Sequence, residues 1–135
     1  MVTVDIQNMP FDDESFDLIF CNHVLEHVYD DRKAMSELCR VLKPFGRAFL
    51  TVPFDPKNKK TYEDPSITSP LSRRFHFGQK DHVRYYGMDF SDRLKDAGLT
   101  VELFKASDLG HDIVSKYALI KEDIVWIGSK VIFCG

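Results

Sequence analysis

The pattern of apolar and polar positions in the first half of the chain predicts a strand followed by a helix. Residues 16–21, FDLIFC, form a nearly unbroken apolar run, which is typical of a strand covered on both faces of a parallel sheet. Asp30 or Asp31 is placed to cap the helix that follows, and Lys43-Pro44 to end it. Within that helix, apolar residues recur at i, i+3, i+4 and i+7: Met35, Leu38, Cys39 and Leu42.

A second apolar segment, GRAFLTVP at 46–53, predicts another strand that Pro53 stops. A strand, a helix and a strand within about 40 residues predict a parallel βαβ unit with a right-handed crossover. Residues 54–76 carry three prolines and mixed charge, and they are expected to form a long irregular insertion, part of a cap over about 54–87. The whole of 1–135 is expected to be a single domain.

The second half continues with a helix and further strands. Residues 88–98 predict a helix that ends at Gly98, and 99–106 predict a strand by alternation. Residues 123–134 predict one or two strands, in which Gly128-Ser129 is either a hairpin turn or a bulge. A very short strand is also expected at Val2–Val4.

Composition narrows the classes of function. The net charge is −3 and no basic excess is present, so a nucleic-acid partner is not expected. No segment approaches about 18 apolar residues and the first residues are not basic, which predicts neither a membrane span nor a secretion signal. Of three cysteines without C-x-x-C spacing, Cys21 and Cys39 fall in apolar patterns, which predicts buried free thiols and a cytoplasmic protein.

The segment HVLEH at 23–27 presents the spacing H-x-x-E-H, which some metallopeptidases use for two zinc ligands and a general base. A zinc hydrolase would need His23 and His27 on one face of a stable helix, Glu26 as the base, and a third ligand. The remaining histidines, His76, His82 and His111, lie far along the chain. We therefore expect no metal here, and a turn from a strand into a helix.

Four sequence motifs follow one another along the first part of the chain: DIQNMPF, DDESFDLIFCNHVLEHV, ELCRVLKPFG and RAFLTVP. Over residues 2–53 the chain resembles the class I S-adenosylmethionine-dependent methyltransferases, in the group that methylates small molecules. The resemblance implies an α/β fold with a Rossmann-like methyltransferase sheet. Phe45 stands where the family pattern has Gly, so that turn is expected to differ if it requires a positive φ.

The resemblance also implies a cofactor, S-adenosylmethionine, and residues that hold it. Asp5 would accept a hydrogen bond from the adenine amino group, and the Ile6 backbone would meet a ring nitrogen. Backbone atoms of Cys21, Asn22 and His23 would hold the methionyl part. The acceptor is expected to be a small molecule. His76 and His82, in the aromatic and basic segment RRFHFGQKDHVRYYG, are candidate general bases if the acceptor must lose a proton.

The family's first strands, glycine-rich loop and ribose-binding acid would precede Asp5, and none of the seven glycines shows G-x-G spacing. The sequence therefore predicts a fold truncated at its N-terminus, with an unpaired edge on the 16–21 strand that invites a homodimer or another pairing. Three hypotheses remain open: a methyltransferase that needs a further segment, a non-catalytic self-associating remnant, and the zinc hydrolase.

Overall fold

The computed structural model describes residues 4–116 and 124–131. Six strands are present in this part: β1 (Phe16–Asn22), β2 (Leu42–Thr51), β3 (Tyr62–Glu63), β4 (Arg84–Tyr85), β5 (Thr100–Lys105) and β6 (Ile124–Ser129). Four α-helices accompany them: α1 (Asp31–Val41), α2 (Pro70–Phe77), α3 (Phe90–Asp96) and α4 (His111–Lys116). Two 3₁₀ turns lie at Leu25–His27 and Ala106–Leu109.

The main sheet has the strand order β1-β2-β6-β5. β1 and β2 are parallel, and β6 runs antiparallel to both β2 and β5. The predicted parallel βαβ unit is therefore confirmed. Within the described residues β1 lies at one edge of this sheet. Only Cys21 of its seven residues is buried, and Leu18 is 46% exposed. This burial pattern contradicts the expectation that the strand is covered on both faces, within the part of the chain that the structure describes.

Helix α1 follows its sequence signals at its start and ends earlier than expected. The Asp30 side chain accepts a hydrogen bond from the Lys33 backbone N–H at 3.0 Å, as an N-cap does. The chain turns extended at Leu42, so β2 begins four residues before the predicted position. The apolar face of α1 is buried in the core: Met35, Leu38, Cys39 and Val41.

Phe45 lies in the irregular first part of β2 with φ of 67°, in the left-handed region. Its backbone N–H donates to the Lys130 carbonyl oxygen at 2.7 Å, which holds this conformation in place. Its ring is 71% exposed. The position does require a positive φ, and a residue with a bulky side chain occupies it.

The segment 54–87 is more regular than the sequence predicts. β3 pairs antiparallel with β4, through Tyr62 opposite Tyr85 and Glu63 opposite Arg84. Helix α2 lies between them; Ser69 caps its start and Gly78 ends it with φ of 92°. A two-residue ribbon and an eight-residue helix are too short to leave a clear hydrophobic period in the sequence, which is why the segment reads as irregular.

The C-terminal elements confirm one helix and two strands. Gly98, just past α3, has φ of 105°. Gly128 lies inside β6, paired with Ala48 and with Val101, so no hairpin turn forms there. A Cβ atom on Gly128 would come 3.0 Å from the Leu99 side chain, which explains the glycine. Val4 is not in a strand, and residues 2–3, 123 and 132–134 of the predicted strands lie outside the described residues.

The core centres on Trp126 of β6, which is 1% exposed. Its indole packs edge-to-face on Phe54 and Phe90, at 4.7 and 4.8 Å between ring centres. The indole N–H donates to the Ser91 hydroxyl at 3.1 Å. Of the helices just described, none is long and apolar enough to cross a bilayer. Cys21 is a buried free thiol as predicted, whereas Cys39 is disulfide-bonded, so the prediction of a free thiol is wrong for Cys39.

Candidate functional site

A cavity of about 390 Å³ opens where β1 and β2 end. Because the two strands are parallel, their carboxyl ends meet: Asn22 lies opposite Thr51. The His23 backbone N–H donates to the Thr51 carbonyl oxygen at 2.9 Å, which ties the first residue after β1 to β2. In open α/β sheets ligands bind at such strand ends. The cavity lining is His23, Glu26, His27, Pro53, Gln79, Asp81 and His82.

The segment HVLEH forms the turn that the sequence predicts. His23 has φ of 52° and breaks the strand, after which Leu25–His27 make a single 3₁₀ turn. His23 and His27 therefore do not share the face of one stable helix, as the zinc-hydrolase hypothesis requires.

The Arg84 side chain of β4 stabilises this turn through hydrogen bonds to its backbone. Its side chain is 4% exposed, and it donates to three backbone carbonyl oxygens: Leu25 at 2.7 Å, Val28, and Tyr29 at 3.0 Å. The Val83 N–H donates to the Glu26 carbonyl oxygen at 2.9 Å. The cap segment thus sets the backbone path that carries Glu26 and His27 into the cavity.

Glu26 is the most deeply buried polar residue of the cavity lining, at 1% exposed. Its Oε1 lies 3.4 Å from His27 Nε2 and 3.8 Å from His23 Nδ1. Neither carboxylate oxygen accepts a hydrogen bond from any described residue. A buried carboxylate without a donor is costly unless a positive charge faces it.

Two imidazoles lie beside this carboxylate. The His27 Nδ1 is 3.1 Å from the Asp81 carbonyl oxygen, and the His82 Nδ1 is 3.3 Å from the Phe77 carbonyl oxygen. Their rings meet edge-to-face at 4.6 Å. One side-chain ligand atom from each of Glu26, His27 and His82 lies within 4.8 Å of the others.

Of the two predicted catalytic histidines, only His82 lines this cavity. His76 belongs to α2, and its Nδ1 lies 2.6 Å from the Tyr62 hydroxyl. Sequence reasoning gave Glu26 and His27 a structural role and did not place them with His82. No sequence signal joins His27 to a histidine 55 positions later, since the contact depends on the β3–β4 ribbon folding back over the turn.

The predicted cofactor residues occupy two places. Cys21, Asn22 and His23 lie at the end of β1 beside the cavity. Burial, and secondarily the charge of Glu26, raises the pKa of the Cys21 thiol to about 12, so the neutral thiol is not a nucleophile at neutral pH.

Asp5 lies in the turn before β1 and is exposed. Its carboxylate accepts from the Gln7 backbone N–H at 2.9 Å, and Ile6 packs against the core. The Gln7 side-chain oxygen accepts from the Asp30 N–H at 2.9 Å, which fastens this turn to the start of α1.

A second cavity, of about 400 Å³, lies on the other side of the turn, between α1 and the cap segment. Three of its charged groups are paired with one another: Asp31 accepts from Arg93 at 2.7 Å, and Arg93 also donates to Glu63 at 2.9 Å, while Tyr86 donates to Asp31 at 2.6 Å. These pairs stabilise the junction, and the cavity at the parallel strand ends is the better candidate site because ligands of open α/β sheets bind there.

The first fifty residues match a known family. Residues 1–50 match the family described as "Methyltransferase domain". The chain is similar to the uncharacterized methyltransferase YcgJ of Bacillus subtilis (strain 168), with 29% identity over 121 residues, 90% of this chain and 42% of that protein. It is also similar to the demethylmenaquinone methyltransferase of Clavibacter sepedonicus, with 48% identity over 49 residues, 36% of this chain and 20% of that protein. The chain thus spans less than half of the length of either relative.

Solved structures share the fold. The crystal structure of YcgJ aligns with a TM-score of 0.62 and 18% identity, over 95% of this chain and 69% of that one. A 1,6-didemethyltoxoflavin-N1-methyltransferase of Burkholderia thailandensis, solved with 1,6-didemethyltoxoflavin and S-adenosylhomocysteine, aligns with a TM-score of 0.62 and 15% identity, over 96% and 50%. At these identities the likeness concerns the fold alone. The predicted Rossmann-like fold is confirmed.

Proposed function

We propose that this chain, whose sequence motifs and fold are those of a class I S-adenosylmethionine-dependent methyltransferase, provides the acceptor side of a methyl-transfer site for a small molecule. The observation that carries the proposal is the cavity at the parallel ends of β1 and β2, bounded by His23 and Pro53 of the resembling motifs. Its volume of about 390 Å³ suits a small acceptor or part of one.

The cofactor residues follow the predicted assignment. Backbone atoms of Cys21, Asn22 and His23 would hold the methionyl part, since they lie at the strand end beside the cavity. Asp5 and Ile6 would meet the adenine. The Asp5 carboxylate is an acceptor-only group, which suits the adenine amino group, and it is exposed.

His82 is the better of the two predicted bases. Methyl transfer from a sulfonium is an in-line displacement, so holding the acceptor aligned in a dry site supplies most of the catalysis. A base is needed only if the acceptor loses a proton. His82 lines the cavity, while His76 is hydrogen-bonded to Tyr62 and stays a weaker candidate.

A non-catalytic, self-associating chain is the alternative. It is favoured by the position of β1 at the edge of the described sheet and by the 46% exposure of Leu18. Pairing through this edge, with a second copy or with a further segment, would cover both the backbone groups and Leu18. We retain the expectation of a protein without a nucleic-acid or membrane partner. The cytoplasmic expectation loses the support of Cys39, because that cysteine is disulfide-bonded.

Calorimetry with S-adenosylmethionine tests the proposal. The 135-residue chain alone is expected to show no saturable binding at ordinary cofactor concentrations. It lacks the glycine-rich loop and ribose acid of the resembling enzymes, and two or three lost charge-assisted hydrogen bonds, at about 1.5–3 kcal/mol each, move a micromolar dissociation constant to millimolar or weaker. Adding an N-terminal segment with a strand, that loop and an acidic-ended second strand should restore binding.

The extended protein also tests the adenine contact. Asp5→Asn should weaken cofactor binding by about tenfold or more, since a charge-assisted hydrogen bond is lost. Asp12→Asn, an exposed acid in the next turn, is the matched control and should leave binding unchanged. Micromolar binding by the unextended chain would mean that the cofactor site is misplaced, and failure of the extended protein to bind would refute methyl transfer.

A further inference from the structure

We propose that Glu26, His27 and His82 form a three-ligand site for a divalent transition-metal ion of the zinc class. One ligand atom of each lies within 4.8 Å of the others. This ligand set differs from the H-x-x-E-H pattern, because His82 takes the place of His23 and Glu26 acts as a ligand. It also replaces the expectation from sequence that the chain holds no metal.

The hydrogen bonds of both histidines leave one ring nitrogen able to bind a metal. A carbonyl oxygen only accepts, so Nδ1 of His27 must donate to Asp81 at 3.1 Å and Nδ1 of His82 must donate to Phe77 at 3.3 Å. In the neutral rings each Nε2 then carries a lone pair. The Asp81 carboxylate also lies 3.5 Å from His27 Nδ1. A histidine that binds a metal usually donates its other ring N–H to a carbonyl or carboxylate oxygen, which orients the ring.

A bound cation would compensate the buried charge of the Glu26 carboxylate. Glu26 is 1% exposed, and neither of its oxygens accepts a hydrogen bond from a described residue. The cavity lining also contains Asp81 but no lysine or arginine. A lone pair on His27 Nε2 would face Glu26 Oε1 at 3.4 Å, which is repulsive unless a proton or a metal ion lies between them.

The spacing suits an ion. Zinc bonds of about 2.0–2.1 Å in tetrahedral geometry put neighbouring ligand atoms about 3.4 Å apart. The Glu26 and His27 atoms are already at 3.4 Å. Since the three ligand atoms lie within 4.8 Å of one another, bringing His82 to the same spacing takes a movement of up to about 1.4 Å, within the reach of a small side-chain rotation.

The ligand atoms indicate which ions the site would favour, and the cavity leaves room for a further ligand. Two imidazoles and one carboxylate favour zinc-class ions over Mg²⁺ or Ca²⁺, which prefer oxygen ligands. Three protein ligands leave a position open to the cavity for water or for an oxygen of a bound molecule. With the ion present, His82 is a ligand and not a base, and the ion polarises that oxygen instead. The proposal does not depend on methyl transfer.

Titration of the 135-residue chain with Zn²⁺, followed by calorimetry and elemental analysis after dialysis, is the test. We expect about one zinc per chain. Glu26→Gln and His82→Ala should each weaken binding by at least about tenfold. Asp81→Asn should weaken it less, because the Asp81 backbone carbonyl oxygen that accepts from His27 Nδ1 remains. His76→Ala, a histidine of the same cap segment outside the cavity, is the matched control and should bind as the parent does.

Co²⁺ gives a readout that does not need any variant to fold. Its visible spectrum should show nitrogen and oxygen coordination of fewer than six ligands, and Zn²⁺ should displace it while raising the melting temperature of the parent chain. No zinc retained, equal binding by the parent and the His82→Ala variant, or a thiolate charge-transfer band would each overturn the proposal; within the described residues Cys21 is the free thiol that could give such a band. Loss of zinc in His23→Ala with retention in His82→Ala would favour the H-x-x-E-H set instead.

Discussion

Replacing Phe45 should reverse the usual order of alanine and glycine. Phe45 has φ of 67°, where a Cβ atom crowds the following carbonyl oxygen at a cost of about 1–2 kcal/mol. Phe45→Ala and Phe45→Gly both remove the mostly exposed ring, so their difference isolates the backbone. Glycine removes the crowding but loses about 0.5–1 kcal/mol more chain entropy on folding. We expect the glycine variant to be the more stable by about 0.5–1 kcal/mol.

Urea unfolding of the two variants, with equal slopes, measures this difference, which corresponds to about 2–5 °C in melting temperature. Ser36, exposed in the middle of α1, is the matched control. There Ser36→Ala should be more stable than Ser36→Gly by about 1 kcal/mol, the ordinary helical order. If Phe45→Ala is as stable as Phe45→Gly or more stable, the left-handed conformation is not what limits stability at this position, and the reasoning fails.

Three further predictions concern the site and its support. Arg84→Met should lower the free energy of unfolding by about 3 kcal/mol, since three backbone carbonyls each lose a donor. Arg74→Met on exposed α2 should change urea unfolding little. Burial alone would raise the pKa of Asp31, but the Tyr86 hydroxyl, Arg84 and Arg93 outweigh it and the pKa is lowered. The unfolded state therefore binds the proton more readily, so the free energy of unfolding should fall as the pH drops below about 4. Urea midpoints measured between about pH 5 and 3 should show this fall in the parent chain and a smaller fall in Asp31→Asn. Cys21 should resist iodoacetamide at pH 8 in the folded chain and react after unfolding, as peptide mapping would detect; fast labelling of the folded chain would contradict its burial.

The local part of the fold was predictable because its signals are local. The N-cap at Asp30 and the helical spacing of Met35, Leu38 and Cys39 act within a few residues, and α1 forms where they indicate. The start of β2 was missed for the opposite reason. Lys43-Pro44 reads as a breaker, but the strand pairs Phe16 with Leu42 and resumes with Leu18 opposite Arg47, so an irregularity absorbs the residues between.

The candidate site could be predicted only in part. The turn at HVLEH and its position directly after an apolar strand follow from residues 16–27. The meeting of Glu26 and His27 with His82 does not, because it requires β3 and β4 to pair across about twenty residues of the cap segment and Arg84 to hold the turn from below. Periodicity carries no information about contacts of that range, and two of the cap elements are only two residues long.

The place of β6 between β2 and β5 has a consequence for the order in which the chain folds during synthesis. β1, α1 and β2 can assemble once residue 51 has emerged from the ribosome, but β5 pairs with β6 and not with β2. At about 5–20 residues per second, β5 then waits about 1–5 s for residues 106–129. In that interval one side of β2 and all of β5 lack their partner strand, and the site for Trp126 against Phe54 and Phe90 stays empty. A nascent chain stalled before residue 124 should be open to proteases and to chaperones that hold apolar strands, and release of β6 should close the sheet and the core in one step.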